Sequence, residues 1–229
     1  MGSGGIGSSW DGTLSVSEFR AAAVAFADRW RISGSSLPPW SWVPVDEQHR
    51  WLSRQVDGFL SMENVCMMRS AGDRDAAAEE MGPCGLDEPV DVATLVPRGG
   101  SDSDVNRCDL NIIYSHSYRL PVLYFRVYSS DGQPLALCDF ERHLPSDSVE
   151  AIVGSKWTFI TQEEHPYLKR PWYKLHPCGT SEWVKLLLLS DTSVATRDDA
   201  VDLYLLSWFS VVGRVIGVSI PFETTRSLD

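Results

Sequence analysis

A chain of 229 residues, 43% of them hydrophobic, can bury one sizeable core, so a single domain with an insertion is expected rather than two full domains. A formal net charge of -11 argues against a nucleic-acid backbone or an anionic membrane surface as the main partner, because both require clustered lysine and arginine. Five cysteines without C-x-x-C spacing, and no apolar leader after residues 1–9, point to a reducing, cytoplasmic setting; no charge-free apolar run approaches the ~20 residues of a transmembrane segment.

Residues 1–9 read as a flexible, glycine-rich lead, 10–222 as one catalytic-sized domain, and 223–229 as a tail. Ser15 and Glu18 form a capping-box pattern ahead of Phe19, Ala23, Phe26 and Trp30 at helical spacing, which predicts a first helix with an apolar stripe. The run Pro38–Pro44 reads as an extended crossing toward a sheet, and Gly58–Met68 as a first strand. Ser70–Pro89 is alanine-rich and acidic. Asp73, Asp75, Glu79, Glu80, Asp87, Glu88 and Asp91 stand against Arg74 alone, which marks an insertion at about 70–90, either simply solvated or steering a basic partner.

Further strand patterns cover Val90–Val96, Cys108–Ser115, Arg119–Tyr128 and Gln133–Phe140. Val122, Tyr124, Arg126 and Tyr128 fall on one face and Leu123, Phe125 and Val127 on the other, so antiparallel strands with one dry face are expected. The strand around Leu120–Tyr128 is either sheet interior or an edge open to β-augmentation. Glu141–Val153 is polar with helical character, and Ser155–Thr180, with three prolines, reads as a long irregular segment over the scaffold. Its aromatic residues Trp157, Phe159, Tyr167, Trp172 and Tyr173 either pin it to the core or form a docking face. Thr180 is placed to cap a short helix through Ser190. Val201–Val212 is a second, strongly apolar helix, and Gly213 and Gly217 bracket a last extended piece. That order is α+β.

Cys66, Cys108 and Cys138 lie in apolar patterns and are expected as small packed hydrophobes, and Cys84 falls in the acidic stretch. Cys178 differs. Pro177 fixes the backbone before it, Gly179 relieves crowding after it, and a helix N-terminus that favours a thiolate follows directly. His176 lies two residues upstream, on the same side of an extended chain. The residues leave four readings open. Cys178 is a packed thiol, or a metal ligand with His176 and His165, a set short of the four a structural zinc wants. Otherwise it is a hydrolase nucleophile with His165 or His176 as base, or a thiol that takes an activated acyl group by trans-thioesterification.

The stretches Trp10–Phe19, Pro38–Pro44, Tyr118–Tyr128, Lys156–Thr180 and Leu203–Gly217 resemble the autophagy-related protein ten family of E2-like conjugating enzymes, from about Trp10 to Phe222 except the acidic insertion. The resemblance implies a ubiquitin-conjugating-enzyme-like fold, an antiparallel sheet flanked by helices. It implies that Cys178, in His176-Pro177-Cys178, carries the ubiquitin-like autophagy-related protein twelve as a thioester, without a cofactor. The E1-like autophagy-related protein seven would load it, and a lysine of autophagy-related protein five would receive it. The lipid-conjugating relative, autophagy-related protein three, continues its His-Pro-Cys with lysine, histidine and alanine. This chain continues with Gly179-Thr180-Ser181-Glu182, so a protein acceptor is expected. It lacks the His-Pro-Asn of ordinary E2 enzymes. His176 or a backbone N–H near Cys178 is the expected oxyanion or orienting partner, with Tyr118 and Asn111 as further candidates.

Overall fold

The computed structural model describes residues 10–45, 57–68, 105–141, 160–177, 180–191 and 194–220. Helix α1 (Val16–Ile32) begins with the expected capping box: Glu18 N–H donates to the Ser15 hydroxyl at 3.3 Å, and Ser15 N–H donates to the Glu18 carboxylate at 2.7 Å. Its buried face, Phe19, Ala22, Ala23, Phe26 and Trp30, repeats at i, i+3, i+4 and i+7 and packs on a sheet and on a C-terminal helix.

The strands are β1 (Ser41–Pro44), β2 (Gly58–Met68), β3 (Val105–Ser115), β4 (Leu120–Tyr128), β5 (Ile160–Glu164) and β6 (Pro171–Leu175). They form one antiparallel sheet in the order β1-β2-β3-β4-β6-β5. The proline-bounded crossing therefore does more than approach the sheet. It pairs with β2 from Ser41↔Ser61 to Pro44↔Gly58, making Gly58–Met68 the second strand. Pro44 is tolerated there because β1 is an edge.

Two further expectations change, and one open alternative is decided. The proline-rich stretch is not irregular throughout: Ile160–Glu164 and Pro171–Leu175 pair in register from Ile160↔Leu175 to Glu164↔Pro171. Pro171 opens a strand and Pro166 sits in the connecting turn, so neither removes a needed ladder bond. Gln133–Phe140 is not a strand. The turn at Ser129–Gly132 folds Leu135 N–H back onto the Val127 carbonyl at 2.8 Å, and the chain then winds into a short helix α2 (Leu137–Glu141) that buries Phe140 against Phe125. The strand Leu120–Tyr128 is sheet interior, since β3 and β6 flank it; among the described residues the edges are β1 and β5. The acidic insertion at about 70–90, the strand expected at Val90–Val96 and nearly all of Glu141–Val153 lie outside the described residues.

Helices α3 (Thr180–Ser190) and α4 (Arg197–Val215) join α1 on one face of the sheet. Helix α4 starts earlier than its apolar run because Thr196 and Asp199 supply a second capping box. Several of the tryptophans are core, as their abundance suggested: Trp30, Trp40, Phe26 and Phe209 pack with ring centroids 5.4 to 6.2 Å apart. The opposite face of the sheet is not wet throughout either. The turn between β5 and β6 folds back across it, stacking Tyr167 on Phe59 at 5.3 Å and enclosing Val122, Tyr124 and Trp172 in a second, smaller apolar cluster.

Candidate active site

Strand β6 ends at Leu175, His176 and Pro177 follow it, and α3 begins at Thr180. Cys178 and Gly179 fall between these elements, outside the described residues. Their flanks are fixed. Pro177 and Thr180 are both buried, and the Pro177 carbonyl accepts from Thr180 N–H at 3.2 Å and from the Thr180 hydroxyl at 2.9 Å. Thr180 is thus the first helical residue, with its side chain pointing back at Pro177.

An N-terminal strap holds both sides of this junction. A Cβ on Gly12, which has a φ of 80°, would collide with the Ser181 carbonyl in the first turn of α3, so only glycine allows the approach. The Gly12 carbonyl accepts from the Tyr204 hydroxyl at 2.6 Å, while Leu14 N–H donates to the Arg119 carbonyl at 2.9 Å. The strap thereby ties the β3–β4 hairpin to the start of α3. On that hairpin Tyr118 places its hydroxyl 3.4 Å from His176 Nε2, with the two rings edge-on at 5.5 Å. Of the sequence candidates, then, the structure brings Tyr118 to His176.

Asn111 and His165 go elsewhere. His165 is fully buried, and its Nδ1 accepts from Tyr167 N–H at 3.2 Å and Leu168 N–H at 3.0 Å. Burial, helped by the charges of Arg170 and Lys169, pushes its pKa down to about 4, so it is neutral at physiological pH. With Nδ1 accepting, Nε2 carries the proton. The atom it needs opposite, 3.0 Å away, is the Asn111 amide oxygen. Placing the amide nitrogen there would set two donors face to face and leave Oδ1 buried without a partner, so the amide is turned over. His165 is a fastener for the β5–β6 turn rather than a base open to substrate.

Beside His176, Lys174 pairs with Glu163 at 2.9 Å, and Thr161 donates to the same carboxylate at 3.1 Å. Partial burial would raise the Glu163 pKa, but these hydrogen bonds and the nearby charges of Lys174 and His176 hold it below its ordinary value. This pair was not legible beforehand, because β5 and β6 were read as irregular. Cys108 is buried, and burial raises its pKa strongly, as expected of a packed thiol; Cys138 is half-buried on α2 and Cys66 is exposed, contrary to expectation. Among the described residues no cluster of three or more His, Cys, Asp or Glu side chains could hold a metal, and no helix is long and apolar enough to cross a membrane.

Comparison with known proteins matches residues 18–223 to the family described as "Autophagocytosis associated protein, active-site domain". The chain is similar to "Ubiquitin-like-conjugating enzyme ATG10" of Arabidopsis thaliana, 47% identical over 93% of this chain and 95% of the relative. It is also similar to the protein of that name in Homo sapiens, 32% identical over 61% of each chain. Among solved structures, "Crystal structure of Autophagic E2, Atg10" aligns over 90% of this chain and 98% of its own length, with 17% identity and a TM-score of 0.47.

Proposed function

The chain belongs to the family of autophagocytosis-associated proteins with an active-site domain, as an E2-like ubiquitin-like-conjugating enzyme of autophagy, and from that premise we propose that Cys178 is its thioester-forming nucleophile. The observation that carries the assignment is the junction itself. His176 and Pro177 directly follow a strand, two residues separate Pro177 from the start of α3 at Thr180, and the flanks of Cys178 are pinned through the Pro177 carbonyl. A helix N-terminus just downstream favours the thiolate.

The cargo is the ubiquitin-like autophagy-related protein twelve, delivered by the E1-like autophagy-related protein seven, and the acceptor is a lysine of autophagy-related protein five. The Cys178 thiolate attacks the glycyl carbonyl of the E1 thioester, forming a new C–S bond as the E1 thiolate leaves. The neutral acceptor amine then attacks the same carbon, forming the amide C–N bond as the C–S bond breaks; the Cys178 thiolate leaves, and the proton lost from nitrogen passes to solvent or to that sulfur. Both steps pass through an oxyanion that the His-Pro-Asn of ordinary E2 enzymes would stabilise. Here His176 serves, oriented by the Tyr118 hydroxyl, together with backbone N–H groups beside Cys178. Asn111 is spent on His165 and takes no part. Because the thioester is already activated, positioning and desolvation of the amine supply most of the rate.

The reading is tested by preloading the chain, removing the E1-like enzyme, and adding purified acceptor alone. Formation of the isopeptide-linked product without a third protein supports it; a loaded chain that discharges only to water overturns the assignment of a protein acceptor. His176→Ala is expected to slow loading or transfer by about a hundredfold to a thousandfold, the range for losing one oxyanion donor.

A further inference from the structure

Strands β4 and β6 pair at Tyr124↔Lys174 and Phe125↔Tyr173 and then part. Carrying that register on would set Val127 opposite Pro171, which has no N–H to give, and the Val127 carbonyl accepts from Leu135 N–H at 2.8 Å instead. The strand thus changes partner. In the fork so opened lies a recess of about 260 Å3, with Leu135 from the segment after β4, Pro171, Trp172 and Tyr173 from β6, and Arg126 and Gln162 as its polar lining. Arginines gather at this end of the sheet although the chain carries a net charge of -11. Arg126 lies over the Tyr128 ring at 5.2 Å and takes part in none of the ion pairs among the described residues. Arg107 stands opposite Tyr128 in the register of β3 and β4. Burial raises the Tyr128 phenol and Asp109 adds to that, while the charges of Arg126 and Arg170 oppose both, which sets Arg170 in the same neighbourhood. The acids on the adjoining strands are already engaged: Asp109 accepts the Asn64 N–H at 2.9 Å, Glu163 pairs with Lys174, and Glu164 with Lys169.

We propose that this fork docks an acidic peptide segment of a partner protein, a large apolar side chain entering the recess and a neighbouring carboxylate pairing with Arg126. The volume lies below the ~300 Å3 at which pockets for drug-sized ligands begin, and suits one large side chain. A guanidinium held by its face keeps its N–H edge for a carboxylate. Charge selects the partner: a segment rich in glutamate or aspartate gains Arg126 and the field of Arg107 and Arg170, whereas a basic one is repelled. Trp172 precedes His176 by four residues, about 13 Å along a strand, so a partner docked here is held beside the candidate site without filling it. The inference does not rest on the thioester reading above.

The test titrates the full isotope-labelled chain, followed by NMR, with acetylated and amidated pentapeptides that hold tryptophan, leucine or alanine at the centre between two glutamates, two glutamines or two lysines. Backbone amides of Arg126, Leu135 and Trp172 should shift, and a tryptophan or leucine centre between glutamates should bind about tenfold or more tighter than alanine. Arg126→Gln should remove the advantage of glutamate over glutamine, about twofold to fivefold, and keep that of the large centre. Gln162→Trp, at an exposed position of β5, should fill the recess and do the reverse. The wild-type chain alone can overturn the proposal: no shift with any peptide at millimolar concentration, shifts confined to other residues, indifference to the central side chain, or lysine preferred to glutamate each does so. So does a glutamate preference that survives Arg126→Gln. Other occupants give their own outcomes. Replacing the acids of residues 73–91 by their amides tests the chain's own insertion; peptide binding tightened about tenfold, or the same three amides moving without peptide, would make that insertion the occupant and overturn a partner. Sedimentation showing self-association that Arg126→Gln abolishes would overturn it in favour of a second copy.

Discussion

Glu18 serves two elements with one carboxylate. It closes the capping box of α1 and accepts from Arg197 Nε at 2.8 Å, while that guanidinium stacks on Trp10 at 4.3 Å and donates to the Thr13 carbonyl. Burial alone would raise its pKa; the hydrogen bonds from Arg197 and Ser15 overcome that and hold it at about 2, against an ordinary 4.5. A depressed carboxylate contributes stability present above pH 4.5 and lost as pH falls through 2. The lowering is equivalent to about 3 kcal/mol. Glu18→Gln should cost on the order of 2 kcal/mol at pH 7 in urea denaturation and flatten the acid limb below pH 4.5. His165 titrates in a different window. Its folded pKa of about 4 lies below the ordinary 6.5, so wild-type stability should decline as pH falls from 6.5 to 4 and level off below. His165→Gln should lower the urea midpoint at pH 7 yet show little slope across that window; an unchanged slope would contradict the neutral, accepting Nδ1. Single residues also explain what the sequence hid. Cys66 shares parity with the core residues Leu60 and Met62, but the register shifts between Met62 and Val65, with Asn64 at a φ of 59°, so Val65 turns inward and Cys66 outward. A one-residue bulge leaves little trace in an alternation pattern.

The N-terminal strap acts at the scale of elements. It joins the hairpin carrying Tyr118 to the helix that follows Cys178, and its tightest point is Gly12 against Ser181. Gly12→Ala should displace the start of α3 and cut the transfer rate by about tenfold to a hundredfold, with a smaller loss in thermal midpoint. Single-turnover discharge measured beside a melting curve checks this; a variant that loses stability but transfers at the wild-type rate would separate the strap from the site. Helices α1 and α4 and strands β3 and β4 were legible because their apolar residues repeat at 3.6 or 2, and Ser15 with Glu18 marked the start of α1; the same signal at Thr196 and Asp199 was passed over, so α4 was expected to begin only at Val201. The β5–β6 hairpin was not. Strand β5, Ile160–Glu164, is a polar edge with four exposed residues, so it offers no alternation to read, and the prolines around it looked like breakers. Charged residues on such an edge discourage pairing with other chains. Helix α2 was misread because Leu137 and Phe140, at i and i+3, sit in a run too short for its period to declare itself.

At the scale of the molecule, one sheet separates two chemistries. Its helical face is a continuous apolar core from Leu14 to Val218 that fixes α1, α3 and α4. Its outer face is partly roofed by the β5–β6 turn and partly open as a recess near His176. The likeness of motifs revealed the family and the His-Pro-Cys position, but not this division of faces, which depends on long-range pairing of β6 with β4 at Tyr124↔Lys174 and Phe125↔Tyr173. The arrangement sets His176, Tyr118 and the start of α3 around one junction and keeps His165 and Asn111 out of it. The central claim is that the sulfur at that junction carries the cargo. The chain is incubated with the E1-like enzyme, ATP and the ubiquitin-like protein, and the adduct is examined with and without a reducing thiol. Wild-type chain should give an adduct that thiol destroys, Cys178→Ser one that survives thiol, and Cys178→Ala none. An adduct that persists in Cys178→Ala, or a wild-type adduct indifferent to thiol, would contradict it.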